Sequence, residues 1–135
     1  MSWSQSLIKL ATYEVETRQK RLAEIRDRKA VAEMKLAMLE AEGLAEMARG
    51  DAEPVAGLYR AAFMTALRER KAAAQAEIRA IEMEEQGARD ALAGAFEEQK
   101  KYEQVAEQAR LLELKARSRR ETAAMDELGL RKAAR

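Results

Sequence analysis

The sequence predicts an all-α protein, an antiparallel two-helix coiled-coil hairpin with a C-terminal helical overhang. Three observations carry that prediction. The only proline of the 135 residues sits in Gly50-Asp51-Ala52-Glu53-Pro54, between two long stretches with no other credible helix stop. Apolar residues recur every seven positions on both sides of that break. Charged residues make up 36% of the chain, aromatics 4%, and 29 residues are alanine. That leaves too few bulky side chains to fill a globular core, and it is the mixture expected of long helices. Disordered chains share the charge but lack the regular leucine and isoleucine spacing.

Residues 1–135 are read as a single helical hairpin, with helix 1 over about 2–49, a tip loop at about 50–55 and helix 2 over about 56–132. Helix 1 starts at Ser2 or Ser4, where Ser2 and Gln5 match the capping-box pattern. Its core columns are Ile8, Val15, Leu22, Lys29, Leu36, Gly43 and Ala11, Arg18, Ile25, Ala32, Leu39, Glu46. This seven-residue spacing drives a left-handed supercoil. The repeat degrades beyond Leu39, so a looser tip is expected. Gly50 followed by Pro54 gives the stop and restart order.

Helix 2 repeats along Leu67, Ala74, Ile81, Ala88, Ala95, Tyr102, Ala109, Ala116, Ala123, and beside it Met64, Lys71, Ile78, Glu85, Leu92, Gln99, Ala106, Glu113. The alanines let backbones approach closely but bury little area each. Beyond Tyr102 a shifted stripe of Val105, Ala109, Leu112 and Ala116 competes for the seam. At about 1.5 Å per residue, helix 1 spans about 70 Å and helix 2 about 110 Å. Folding back at residue 53 sets residue 2 beside roughly residue 104 and leaves residues 105–135 as an elongated overhang. An isolated helix of that length is marginal in water unless something packs on it. The overhang therefore asks for a partner.

Charge is unevenly placed. Residues 1–29 hold seven basic and four acidic side chains, residues 110–135 eight and four, and residues 30–109 ten and sixteen. A hairpin of this chain has a basic terminal end and an acidic turn end, which can orient it between unlike partners.

Chemistry is largely excluded. Without cysteine or histidine there is no thiol, disulfide, imidazole or usual zinc chemistry. The glycines are isolated, so no phosphate loop is present. Acidic groups such as Glu82-Glu84-Glu85 and Glu97-Glu98 read as solvated helix charge, with Glu85–Arg89 and Glu97–Lys101 as attractive pairs. No enzymatic activity, cofactor or metal is expected. No apolar run approaches the roughly 20 residues of a membrane span, and Met1-Ser2-Trp3-Ser4-Gln5 does not resemble a signal peptide; a cytoplasmic protein without direct membrane insertion is expected. Lys115, Arg117, Arg119 and Arg120 could meet an anionic surface. Glu113 and Glu121 interrupt the run, so a protein partner or plain solvation is favoured over nucleic acid. Tyr59, Phe63 and Leu67 form an i, i+4, i+8 stripe that is either a hydrophobic plug or a docking patch, facing only Leu44 and Met47.

Across its length the chain resembles the FliJ family, the small helical-hairpin component of the bacterial flagellar type III protein-export apparatus. The resemblance lies in an ordered series: Leu10 with Glu14, a short glycine-bearing tip, then Tyr59 and Phe63-x3-Leu67. The charged segment Phe96-Glu97-Glu98-Gln99-Lys100-Lys101-Tyr102-Glu103 follows, and Arg119-Arg120-Glu121 leads to Met125-Asp126-Glu127. It implies a non-enzymatic central stalk, similar to the shaft of rotary ATPase gamma subunits. Its implied partners are the hexameric flagellar export ATPase, the membrane export gate and export chaperones, at the cytoplasmic face of the inner membrane. Tyr59, Phe63 and Leu67 are then expected at the gate, although Arg70 and Ala74 depart from the family pattern. Arg117, Arg119, Arg120, Met125, Asp126 and Glu127 are expected at the ATPase. A generic coiled-coil adaptor or scaffold, or the equivalent stalk of a virulence-type injectisome, is the alternative.

Overall fold

Ser2 opens the first helix by a reciprocal pair of bonds. Its N–H donates to Gln5 Oε1 and the Gln5 N–H donates to Ser2 Oγ, both at 3.3 Å, which satisfies two donors that a helix start leaves orphaned. From there α1 runs Trp3–Ala48, and α2 runs Pro54–Ala133. The computed structural model describes residues 2–49 and 54–134. Residues 50–53 of the expected tip loop lie outside the described residues. The fold is all-α: two long helices packed against each other as a helical hairpin.

Two units share these helices. In the unit formed by residues 17–92, the heptad columns are the core. Ile25, Ala32 and Ile81 cluster with Ile78 and Ala88. Leu39, Leu67 and Ala74 cluster with Leu36 and Met64. Early residues of α1 meet late residues of α2, so the pairing is antiparallel. The seam continues past Leu39 as far as Gly43 and Leu67, and between those two no described residue is buried. Gly43 is buried, and a Cβ built on it would lie 2.9 Å from Leu67 Cδ2. A residue with no side chain lets the leucine fill the space between the helices.

The same unit corrects the reading of Glu85 as solvated charge. Glu85 is 7% exposed, at a core position of the repeat. Lys29 donates to it at 3.4 Å, and Arg26 and Arg89 stand 3.5 Å from its carboxylate. Burial pushes this carboxyl upward, and the Lys29 bond with the charges of Lys29, Arg89 and Arg26 outweighs that and holds it below its ordinary value. Beside it Arg28 meets Glu84 at 2.9 Å.

In the unit formed by residues 1–16 with 93–135, Ala11, Val15 and Ala95 are buried. Thr12 Oγ1 donates to the Ile8 carbonyl at 2.9 Å and accepts from Gln99 Nε2 at 3.1 Å. Lys101 reaches Glu98 at 3.3 Å. Tyr102, Ala106 and Ala109 are half-buried, whereas Val105 and Leu112 are 42% and 67% exposed. The original register therefore persists beyond Tyr102, and the shifted stripe does not take the seam.

The helix offset differs from expectation by about one turn. Ser2, Trp3, Ser4, Gln5 and Ile8 share a shallow groove with Ala106, Ala109 and Glu113, so α1 reaches beyond residue 104. A pairing within the same unit agrees: Thr12 against Gln99 has its midpoint between residues 55 and 56, later than a fold-back at residue 53. Within the unit of residues 17–92, Gly43 against Leu67 and Lys29 against Glu85 have their midpoints at residues 55 and 57.

Candidate docking surfaces

The first surface lies on the opening turns of α2. Counting back seven residues from Leu67 lands on Arg60, a cation where the repeat asks for an apolar side chain. The last turn of α1 holds no basic residue, and its carbonyls are short of helical partners, although the Glu46 carbonyl accepts from the Arg49 N–H at 3.3 Å. Arg60 adds a cationic cap from the other helix. Its Nη2 donates to the Glu46 carbonyl at 2.9 Å and to the Arg49 carbonyl, and its Nε lies 4.0 Å from the Glu46 carboxylate. The positive guanidinium also complements the negative C-terminal end of the α1 dipole. Composition and charge counting did not single out Arg60; the broken column was the available signal.

With Arg60 and Leu67 turned inward, the aromatics separate. Leu67 is 3% exposed, Phe63 37% and Tyr59 75%. Steps of four residues advance 40° past a full turn on an α-helix, so the stripe drifts out of the seam toward its N-terminal end. Leu67 is a core side chain. Phe63 and Tyr59 carry the apolar surface, with Leu58, Leu44 and Met47 also mostly exposed. Leu44 and Met47 thus do not cover the aromatics.

The second surface is the C-terminal part of α2, where every described residue from 110 to 134 is exposed. Arg117, Arg119, Arg120, Met125, Asp126 and Glu127 all lie there. At its base an exposed fork lies within the helix itself, with Arg110 Nη2 and Nε donating to Glu107 three residues earlier at 2.6 and 3.0 Å. The Arg110 bond holds the Glu107 carboxyl below its ordinary value. Arg131 reaches Glu127 at 3.3 Å. Leu111, Leu112, Leu114, Leu128 and Leu130 face water alongside the arginines. Among the described residues no group of three or more acidic side chains could hold a metal ion. No helix there is long and apolar enough to cross a membrane.

Among the described residues, two long paired helices present exposed aromatic, leucine and arginine side chains, which places the chain in the class of long helical-hairpin proteins. The sequence comparisons narrow that class. The family described as flagellar FliJ protein matches residues 5–135. The flagellar FliJ proteins of Caulobacter vibrioides strains NA1000 / CB15N and ATCC 19089 / CIP 103742 / CB 15 are each 47% identical to this chain over 132 residues. Those alignments cover 98% of this chain and 95% of each relative. No solved structure matches the chain. The chain belongs to the flagellar FliJ family, and its role is related to flagellar protein export.

Proposed function

We propose that the chain is a non-enzymatic central stalk of the flagellar type III export apparatus. In this reading the C-terminal part of α2 enters the hexameric export ATPase, while Tyr59 and Phe63 meet the membrane export gate and export chaperones bind in turn. Its place is at the cytoplasmic face of the inner membrane, held there by protein contacts.

One observation carries the reading: α2 continues for more than twenty residues past its last half-buried position, Ala109, and remains helical with all its side chains exposed. A lone helix with leucines in water is costly. A ring opening lined by protein covers such a helix on several sides, and Arg117, Arg119 and Arg120 are suited to acidic groups within it.

The test is deletion of residues 112–135. The truncated chain is expected to retain its paired helices by circular dichroism, to lose binding to the export ATPase and to stop stimulating its turnover. Undiminished ATPase binding by a folded truncation would refute the stalk assignment.

A further inference from the structure

The outer side of α1 carries a second seven-residue repeat that the hairpin does not use. Val31, Met34, Met38, Ala41, Ala45 and Ala48 follow one another at spacings of three and four, the spacing of a coiled-coil seam. The buried side of the same stretch is Ala32, Leu36, Leu39 and Gly43. At 3.6 residues per turn the two stripes lie roughly 160° apart. Val31, Met34 and Met38 are 70%, 67% and 62% exposed, and the three alanines are exposed as well.

We propose that this stripe pairs with the same stripe of a second copy of the chain, antiparallel, about a twofold axis. Side-chain size is the first reason. The large residues fill the first half of the stripe and the alanines the second. Antiparallel pairing sets Val31 against Ala48 of the second copy, Met34 against Ala45 and Met38 against Ala41, so each layer holds one large and one small side chain. Parallel pairing stacks methionine on methionine and alanine on alanine, which overfills one half and hollows the other. Methionine adapts its unbranched chain to such a surface.

Charge is the second reason. Exposed Lys35 and Glu42 border one edge of the stripe. The antiparallel register brings Lys35 of each copy beside Glu42 of the other, twice per dimer, as flanking charges do when they set helix orientation. The other edge pairs exposed Ala37 with Leu44. Twofold pairing closes at two copies because each uses the same surface. The stripe spans about 27 Å, small beside the roughly 1,600 Å² of a standard interface. The dimer is therefore weak and concentration-dependent, and it takes the methionine face out of water. The pairing goes beyond the stalk reading and stands or falls separately from it.

The chain has no cysteine, so engineered thiols report cleanly. Full-length Val31→Cys and Ala48→Cys proteins, mixed and oxidised, are expected to give a cross-linked heterodimer, while neither alone cross-links. Sedimentation equilibrium of the unmodified chain is expected to show a monomer–dimer equilibrium. Lys35→Glu should weaken it roughly three- to tenfold, and Lys35→Glu with Glu42→Lys should restore it. These positions are exposed, and unchanged helical dichroism verifies folding. Self-cross-linking of either single variant would indicate parallel pairing and overturn the proposal. A monomer at every concentration, or no rescue by the charge exchange, would overturn it too. A monomeric chain that loses another protein on Met38→Glu would assign the face to that protein instead.

Discussion

At Gly43 the helices come close enough that one methyl group is the difference between fit and overlap. Alanine there gains about 1 kcal/mol of helix propensity but sets a Cβ 2.9 Å from a buried leucine methyl. Gly87 and Gly94 have open space around the same position. Gly87→Ala and Gly94→Ala are expected to stabilise the chain by about 0.5–1 kcal/mol each, and Gly43→Ala by clearly less, in thermal melts followed by circular dichroism. The aromatic stripe divides in the same way. Leu67→Ala should cost roughly 2–5 kcal/mol of stability because it empties a core site. Phe63→Ala, at a position 37% exposed, should cost clearly less stability than Leu67→Ala, yet weaken binding to the export gate by about 2 kcal/mol or more. A stability loss as large as that of Leu67→Ala, with binding to the gate and to the ATPase falling in proportion, would show Phe63 to be a plug and refute its docking role.

Between the helices, the Glu85 cluster is a polar layer in an apolar seam. Its carboxylate is held below the ordinary value of 4.5 by cations that also cancel the cost of burial. A carboxyl with a lowered folded value contributes stability that is fully present above its unfolded value and is lost as pH falls through the folded one. The chain should therefore lose stability as pH drops below about 4.5, and Glu85→Gln should flatten that acid limb in melts taken from pH 7 to 3. Replacing both Lys29 and Glu85 by leucine should keep or raise the melting temperature, since a buried pair is often matched by apolar packing. Glu85→Leu alone should lower it by leaving Lys29 unpaired in the seam. The element scale also explains Arg60. One helix borrows its cap from the next, so Arg60→Met is expected to cost about 1 kcal/mol, a typical loss for an uncapped helix end.

For the molecule as a whole, protection from hydrogen exchange should follow burial. Amides around Leu22–Leu39 and Leu67–Ala95 are expected to exchange slowest, and those of residues 111–134 fast, because an unpaired helix opens without breaking tertiary contacts. Added export ATPase should slow exchange in residues 111–134. Protection of that segment in the free chain would mean it already has a partner surface.

Much of this was legible in the residues. The capping box at Ser2, the break before Pro54 and the seam columns from Ile8 to Ala109 follow from local chemistry and a seven-residue period, which depend only on neighbours along one helix. The offset between the helices was not legible. A heptad seam rich in alanine looks the same after a slide along its axis, so periodicity identifies the buried face without identifying its counterpart. Gly43 receiving Leu67 and Lys29 meeting Glu85 break that degeneracy, because a glycine gap and a buried charge each accept few partners. The sequence by itself thus determined the two helices and their inward faces. Only the tertiary structure decided how far α1 reaches along α2. That in turn sets where the exposed C-terminal stretch begins, which of Tyr59, Phe63 and Leu67 meets solvent, and why Arg60 occupies a core column.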